Sequence, residues 1–537
     1  MQRPGLVTRL RLLRGFLAAT AALALPLAAA PAAAQDLRIG VRAGPEAIDP
    51  HFMALGNHAA ALKNIFDPLV WVDANLQVQP GLALSWTAIN DTTWEFKLRP
   101  GVKFHDGTPF TAADVKFSIE RIPGAAGPDG GLVIYTRSIV GVDVVDDLTV
   151  RIRTNVPNAA LPQDMTRMFI VSSRIAPTAK AAEFNSGQAA IGTGPFRYVS
   201  WSPRGDLVME RAAGHWRGDA PWAKVTLVEI SNDAARVAGL LSNRVDFVNY
   251  VPVSDIARLK RERNLAVFQG ESIYTFILYP DMREDMTAPA MRLITDKQGN
   301  PLPRNPFRDP RVREALSLAI DRAGIVQSVF EGTAIVANQL MPNYMFGASP
   351  NPPPLRHDVA RARALLAEAG YPNGFRFPLY CSSDRLPGDG ATCTALGQLY
   401  ARIGLDVQVN AQPRTVFFPA RTRGDYPITM AGWGTLTGEA GYTLSSFVHC
   451  RRPGGRYGAF NVSHYCNDAL DTIIAEAMGT LDDTKRRALF QDAHAKAVAD
   501  GGQIPIVTLP TVWAGRANLT WTPRADEDTV AFDIRPR

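Results

Sequence analysis

A histidine next to an aspartate, His105-Asp106, invites a chemical interpretation in this sequence. A histidine beside a carboxylate suggests general base chemistry. Asp106-Gly107 is also a strong turn signal, and Thr111, with Asp114 three residues later, predicts the start of a helix. A turn followed by a helix cap explains the block, so we assign no catalytic role to His105.

The cysteines form two close pairs along the chain, and two histidines flank the second pair. The pairs are Cys381 with Cys393 and Cys450 with Cys466, and the histidines are His449 and His464. An even number of cysteines predicts disulfides where a chain is exported to an oxidising compartment. A Cys2His2 metal site is the alternative, although the spacing fits no standard zinc pattern.

Motifs of hydrolytic enzymes are missing from the sequence. It contains no G-x-S-x-G, no H-E-x-x-H and no C-x-x-C, and its 8 histidines are scattered. We therefore expect a protein that is not an enzyme and needs no cofactor, and an exported hydrolase is the less favoured class.

Other side chains are suited to binding a small molecule. Arg385 offers a planar guanidinium that fits a carboxylate or a phosphate, and Arg414 is a weaker candidate of the same kind. Trp433 follows a strand-like run, 427–431, and a tryptophan at the end of a strand can stack on a ligand. The alternative is that Trp433 is a core residue.

The N-terminus has the pattern of a secretory signal peptide. Its four leader arginines precede an apolar stretch that ends in Ala32-Ala33-Ala34, and we expect cleavage after Ala34. The stretch is shorter than the roughly 20 residues of a membrane-spanning helix, which is the alternative. No cysteine precedes Cys381, so the sequence predicts a periplasmic protein without a lipid anchor.

Charge and hydropathy place the rest of the chain among ordinary globular proteins. Four of the positive charges lie in the leader, so the remainder carries about +2 of the net +6. Lysines and arginines are not clustered as in nucleic-acid-binding proteins. Strand-like runs such as 93–98 and 405–409 alternate with helices that begin at Asp309-Pro310 and at Asp358. This pattern predicts an α/β fold with mixed sheets.

Several blocks resemble, in the same order, the family 5 extracellular solute-binding proteins, which are the peptide and nickel receptors of ABC importers. The blocks are 64–70 (NIFDPLV), 78–86 (VQPGLALSW), 99–115 (RPGVKFHDGTPFTAADV), 192–196 (GTGPF), 309–313 (DPRVR), 319–322 (AIDR) and 364–371 (ALLAEAGY). They span nearly the whole chain after the leader. A series of blocks in the family's order identifies a family far more specifically than any single motif does.

The resemblance implies a two-lobed periplasmic-binding-protein type II fold with a two-strand hinge and an extra inserted domain. Closure of such lobes traps the ligand. We expect a signal peptide at 1–34, lobe one at 36–74, 190–272 and 505–537, the inserted domain at 75–189, and lobe two at 273–504. The crossing strands are expected near 272–279 and 504–513. The resemblance also implies a monomer that delivers its ligand to the permease of an ABC importer and binds no nucleic acid.

The resemblance places the ligand between the lobes. It puts Trp433 at the cleft and makes Arg385 the group for a ligand carboxylate. Dipeptide receptors of the family carry an amine-binding aspartate where this chain has Leu436, so Glu439 either replaces it or is a solvated loop acid. Further candidates are Tyr274, Tyr442, Asn57 and His58. We therefore expect a small peptide-like or amphoteric ligand, with a metal complex, haem or an oligosaccharide as alternatives.

Overall fold

The computed structural model describes residues 36–127, 131–175 and 178–537. In chain order its strands are β1 (Asp36–Val41), β2 (Trp71–Val72), β3 (Val78–Gln79), β4 (Ala83–Asn90), β5 (Thr93–Leu98), β6 (Ile139–Asp146), β7 (Thr149–Thr154), β8 (Phe196–Trp201), β9 (Leu207–Arg211), β10 (Lys224–Glu229), β11 (Phe247–Val248), β12 (Leu265–Pro280), β13 (Ile335–Val336), β14 (Arg376–Ser382), β15 (Asp406–Gln412), β16 (Ile428–Gly434), β17 (Ile504–Arg516), β18 (Leu519–Thr520) and β19 (Arg535–Pro536).

The helices alternate with these strands. They are α1 (Gly56–Leu62), α2 (Ala112–Ala125), α3 (Val133–Thr136), α4 (Leu161–Asp164), α5 (Ala181–Asn185), α6 (Asp233–Leu241), α7 (Val253–Leu259), α8 (Pro310–Ala319), α9 (Arg322–Phe330), α10 (Val359–Glu368), α11 (Asp389–Arg402), α12 (Arg414–Arg423), α13 (Ala440–Thr443), α14 (Asp468–Gly479) and α15 (Asp483–Asp500). A π-helical turn, Leu444–Val448, follows α13.

One large mixed sheet runs through both halves of the protein in the order β15-β14-β16-β12-β17-β11-β1-β10-β9-β8. Its two long central strands, β12 and β17, are antiparallel, and their pairing register shifts between Glu271 and Thr275. We call the half with β1 and β8–β11 lobe one, and the half with β14–β16 lobe two. Since β12 and β17 belong to both halves, they are the strands that cross between the lobes.

A separate sheet of order β4-β5-β7-β6 is formed by the segment that the sequence predicts as an inserted domain. Its inner face packs on α2 around a core of its own that includes Phe96, Val115 and Ile152, all fully buried. Alternate residues of β7 are buried, as expected for a strand with one face on a core.

Short-range sequence signals set the ends of several helices. Thr111 N donates to Asp114 Oδ2 at 2.8 Å in a capping box at the start of α2. Asp309 caps α8 and Asp358 caps α10, in each case through a backbone N–H of the first turn. Gly370, with φ of 94°, ends the turn after α10, a conformation that favours glycine.

The structure joins the cysteines locally, Cys381 to Cys393 and Cys450 to Cys466. The two flanking histidines have other partners. His449 Nδ1 lies 2.9 Å from the carbonyl oxygen of Cys450, and His464 Nδ1 lies 3.1 Å from Asp281 Oδ1. The geometry therefore matches the disulfide alternative of the sequence prediction.

The two-lobed α/β fold with mixed sheets and two crossing strands is confirmed, while the exact domain boundaries stay a prediction. The predicted signal peptide lies outside the described residues. Within residues 36–127, 131–175 and 178–537, no helix is long and apolar enough to cross a membrane.

Candidate ligand-binding site

A cavity of about 400 Å³ lies between the lobes beside the crossing strand β12. Lobe two contributes the loop after β14 and the first residue of α12, and lobe one contributes β1, α1 and the C-terminal segment 526–529. Its charged and aromatic lining residues are Arg42, Tyr250, Tyr274, Asp384, Arg385, Arg414, Asp526, Glu527 and Asp528. Small-molecule sites commonly occur in such clefts at domain interfaces.

Arg385 brings a positive charge to the lobe-two wall. Its Nη1 donates to the carbonyl oxygen of Gly432 at 2.7 Å. Its guanidinium carbon lies 5.5 Å from the ring centre of Tyr274 and 5.0 Å from that of Phe418. No carboxylate of the described residues, including the neighbouring Asp384 and Asp389, forms an ion pair with Arg385.

The loop that carries Arg385 is fixed by a buried carboxylate. Asp389 accepts hydrogen bonds from the backbone N–H groups of Arg385 and Leu386, at 3.1 and 3.0 Å, and from the hydroxyl of Ser382. Cys393, in α11, is bonded to Cys381 in β14. The guanidinium is therefore presented from a rigid loop.

The lobe-one wall carries three consecutive acids, Asp526, Glu527 and Asp528, all less than 9% exposed. Asp526 forms ion pairs with Arg524 at 2.7 Å and with Lys63 at 3.3 Å, and Asp528 forms one with Lys63. Arg524 and Lys63 thus neutralise the two aspartates. Of the three acids, only Glu527 has no ion pair with a cation of the described residues.

Glu527 lines the cavity without a cation of its own. Its Oε1 accepts a hydrogen bond of 2.5 Å from the hydroxyl of Ser272, in the crossing strand β12. Burial raises its pKa to about 7. Its backbone has a φ of 62°, in the left-handed region that residues other than glycine rarely adopt. Residues held in such a conformation cluster at functional sites. Among the described residues, no lysine, arginine or histidine pairs with this carboxylate.

The remaining predicted residues of this cavity lie in its wall. Tyr274 is half-buried under the guanidinium of Arg385. Asn57 lines the cavity from lobe one, and its Nδ2 donates to the carbonyl oxygen of Gly44 at 2.6 Å. Arg414 lines the opposite side, where its backbone N–H donates to Asp384 Oδ1 at 2.7 Å.

Trp433 and Tyr442 stack on each other at a ring-centre distance of 5.4 Å. Trp433 is half-buried, and its Nε1 donates to the hydroxyl of Thr443 at 3.0 Å. The glycines on either side of Trp433 leave room for neighbouring side chains against β16. A Cβ at Gly432 would overlap the Leu386 side chain, and one at Gly434 would stand 2.6 Å from the Tyr274 ring. The aromatic pair thus lies next to the wall that carries Arg385 rather than within the cavity.

Glu439 does not line the cavity, and the solvated-loop alternative is wrong. It is 1% exposed, and its Oε1 accepts a 2.7 Å hydrogen bond from Arg486 Nη1. Its carboxylate therefore serves a buried ion pair inside lobe two. His58 is buried as well, with Nε2 3.0 Å from the carbonyl oxygen of Asp49, and it does not line this cavity either.

A larger cavity, of about 800 Å³, lies by His105, and its lining residues, from Leu84 to Trp216, belong to the inserted segment and lobe one. His105 Nε2 lies 2.9 Å from the carbonyl oxygen of Gly194, and Nδ1 accepts from the N–H of Gly192. Arg197 is paired with Glu210. We therefore place the ligand in the cavity between the lobes.

Comparisons with known proteins decide the family. The model of the bacterial extracellular solute-binding proteins, family 5, matches residues 77–455. The glutathione-binding protein GsiB of Pectobacterium atrosepticum is 30% identical over 519 residues, covering 94% of this chain and 95% of that protein. The chain belongs to family 5 of the bacterial extracellular solute-binding proteins. It is thus a substrate-binding protein of the kind that serves ABC importers, as predicted.

Solved structures of other periplasmic binding proteins have the same fold. DppA from Helicobacter pylori, an ABC transporter-associated periplasmic binding protein in complex with peptide STSA, has a TM-score of 0.73 at 22% identity, with 93% of this chain and 98% of that chain covered. MoaA from A. tumefaciens R10, in complex with mannopinic acid, has a TM-score of 0.72 at 24% identity, with 94% and 100% covered.

The sequence prediction missed the acidic wall of the family 5 chain. The run Asp526-Glu527-Asp528 precedes the apolar stretch 530–532, and three acids next to buried residues were a signal for a charged cluster. Lys63, which pairs with both aspartates, is more than 450 positions away in the sequence. Nothing local shows which of the three acids stays unpaired.

Proposed function

We propose that the protein is a periplasmic receptor that captures a small amphoteric, peptide-like solute between its lobes and delivers it to the permease of an ABC importer. One observation supports this above all. Arg385 and Glu527 line the same cavity, and within the part of the chain that the structure describes Arg385 has no anionic partner and Glu527 no cationic one. A ligand with both a carboxylate and an ammonium group would complete both pairs.

Each end of the ligand has a defined chemical role. A carboxylate would accept charge-assisted hydrogen bonds from the free donors of Arg385. The ammonium group would donate to Glu527, whose ionised form is disfavoured by burial until a cation arrives. Because the two groups belong to opposite lobes, a ligand that binds both favours the closed state, which is the hinge mechanism of periplasmic binders.

We propose that lobe one binds the ligand amine, which dipeptide receptors of the family bind from lobe two. Leu436 occupies the position of their amine-binding aspartate, and its carbonyl oxygen accepts a 3.0 Å hydrogen bond from Arg167. A guanidinium at this point disfavours a ligand amine. Glu527 is on the opposite lobe, and we propose that it holds the amine instead.

The relatives suggest the ligand class. GsiB is named a glutathione-binding protein, and glutathione has an amino and a carboxylate group on one carbon. The leader at 1–34, with no cysteine at its end, supports a periplasmic protein without a lipid anchor. We also propose that the protein acts as a monomer. Hydrolysis is not part of the proposed role.

Thermal unfolding of the purified mature protein tests the proposal. A ligand that binds only the folded state raises the melting temperature. We expect a rise with members of a panel of glutathione, short peptides and opines, and mass spectrometry should recover the ligand intact. Arg385→Gln should reduce the rise strongly, while Arg244→Gln, a change of an exposed residue outside the cavity, should leave it unchanged. A rise only with oligosaccharides, haem or metal complexes, or cleaved products, would contradict the proposal.

A further inference from the structure

The cavity of about 800 Å³ beside His105, which we call the side cavity, is separate from the main cavity between the lobes. The inserted segment forms one wall with Leu84 and residues 99–107, and lobe one forms the other wall with residues between Thr193 and Trp216. No residue of lobe two lines it. Its volume lies in the range of about 300–1,000 Å³ that is typical of small-molecule pockets.

The lining of the side cavity is positively charged. The described residues that line it include no aspartate and no glutamate, but they include four cationic side chains, namely Arg99, Lys103, Arg197 and Arg211. Arg197 is paired with Glu210 at 2.8 Å. Within the described part of the chain, the other three form no ion pair with a carboxylate. A cleft lined by charges of one sign concentrates ligands of the opposite sign.

Two of these guanidiniums are held in place and keep donors free. Arg99 Nε donates to the carbonyl oxygen of Gly81 at 3.1 Å, and its guanidinium carbon lies 4.4 Å from the ring centre of Trp216. Arg211 Nε donates to the carbonyl oxygen of Trp222 at 3.2 Å. No group of the described residues accepts a hydrogen bond from the Nη atoms of either arginine. Both arginines therefore have Nη donors left for an anion.

The buried acid behind this lining does not face the side cavity. Asp67 is 1% exposed and does not line it. Its carboxylate accepts hydrogen bonds from the hydroxyl of Thr193 at 3.0 Å and from Trp216 Nε1 at 2.9 Å, and His215 Nε2 lies 3.3 Å away. Burial lowers the pKa of His105 from its ordinary value of 6.5, so this imidazole is neutral at pH 7. The charge of the lining therefore comes from its arginines and its lysine.

We propose that the side cavity is a separate binding site for a multiply charged phosphate compound, a diphosphate or a phosphate monoester. The unpaired cations come from both walls, Arg99 and Lys103 from the inserted segment and Arg211 from lobe one. A single carboxylate would leave most of this positive charge without a partner. A phosphate monoester carries up to about two negative charges, and its oxygens accept pairs of hydrogen bonds from guanidinium groups. The inference goes beyond the proposed function, because neither Arg385 nor Glu527 lines this cavity.

Titration calorimetry at low ionic strength with inorganic pyrophosphate and with acetate tests the site. Pyrophosphate should bind the unaltered protein, and acetate at the same concentration should not. Lys103→Gln/Arg211→Gln should weaken pyrophosphate binding about tenfold or more, because it removes a cationic contact from each wall. Lys103→Gln alone alters an exposed side chain and leaves the fold unchanged, and it should weaken binding about two- to fivefold.

Matched controls locate the bound anion. Arg244→Gln/Arg261→Gln removes the same charge from two exposed residues that do not line the side cavity, and it should bind pyrophosphate as the unaltered protein does. Arg385→Gln should also leave this binding unchanged. If Arg385→Gln weakened it and Lys103→Gln/Arg211→Gln did not, the anion would lie between the lobes, and the inference would be overturned while the proposed function stood. Absence of pyrophosphate binding, or equally tight binding of acetate, would overturn it too.

Co-sedimentation with vesicles separates two sources of the same phosphate chemistry. The vesicles contain equal amounts of phosphatidic acid and phosphatidylcholine, and vesicles of phosphatidylcholine alone are the control. Binding that is lost in Lys103→Gln/Arg211→Gln would assign the site to a lipid headgroup. Pyrophosphate binding without vesicle binding would assign it to a soluble phosphate compound. Vesicle binding that this double variant retains, together with unchanged pyrophosphate binding, would contradict the site.

Discussion

Replacing Glu527 with glutamine should stabilise the ligand-free protein and weaken ligand binding at the same time. The pKa of Glu527 is raised to about 7 from the ordinary value of 4.5 by burial. Between these two pH values the folded state holds a proton that the unfolded state releases, so stability falls as the pH rises through this window. Glutamine has no charge to desolvate and can still accept the hydrogen bond from Ser272.

The magnitude follows from the pKa shift. At pH 8 the ionised carboxylate costs the folded state about 3 kcal/mol, because one pKa unit corresponds to about 1.4 kcal/mol. At pH 4.5 the cost is only about 0.4 kcal/mol. With an unfolding entropy of about 2 cal/mol/K per residue and about 500 folded residues, 3 kcal/mol corresponds to roughly 3 °C in melting temperature.

Differential scanning calorimetry of the ligand-free proteins at pH 4.5 and pH 8 measures this effect. Glu527→Gln should melt about 3 °C higher than the unaltered protein at pH 8 and within about 1 °C of it at pH 4.5. Its affinity for the amphoteric ligand should fall about 10- to 100-fold, as expected for the loss of a charged hydrogen bond. The control is Glu262→Gln, an exposed residue of lobe one, which should change neither quantity.

Two results would refute this reasoning. If Glu527→Gln lowered the melting temperature at pH 8, the carboxylate would be a stabilising part of the fold. If it bound the ligand as well as the unaltered protein does, Glu527 would not be the group that receives the ammonium.

Three further predictions concern lobe two. Arg385→Gln should weaken ligand binding about 10- to 100-fold in calorimetry, with an unchanged melting temperature of the ligand-free protein. Arg486→Gln should destabilise the protein by about 3–5 kcal/mol in urea unfolding, because Glu439 would be left as an unpaired buried carboxylate. Replacing Cys381 and Cys393 with serine removes the crosslink of a loop with a separation of 12 residues, and should cost about 3 kcal/mol in the same assay. A change below 1 kcal/mol in either unfolding experiment would contradict the corresponding structural role.

Features set by neighbouring residues could be predicted from the sequence. The cap formed by Thr111 and Asp114 depends on residues three apart, and both cysteine pairs close short loops. The family resemblance predicts crossing strands near 272–279 and 504–513, and β12 and β17 include these ranges. The chemistry of its guanidinium makes Arg385 a candidate, and Arg385 lines the cavity, while its contact with a ligand stays a prediction.

Features set by distant partners could not be predicted. Glu439 stands in a glycine-rich loop that looks solvated, and only its contact with Arg486, 47 residues later, shows that it is buried. Glu527 differs from its two acidic neighbours only because Lys63 and Arg524 neutralise those neighbours. The pairing of charges in three dimensions decides which groups remain free for a ligand, and spacing along the chain does not contain that information.

The most direct test of the central claim compares one amphoteric ligand with two blocked forms of it by titration calorimetry. One form has its amine acetylated, and the other has its main-cavity carboxylate amidated. If Arg385 and Glu527 each hold one end, either change should weaken binding at least tenfold, and the two losses should disappear in Glu527→Gln and in Arg385→Gln respectively. Blocked forms that bind as tightly as the parent compound would contradict an amphoteric site between the lobes.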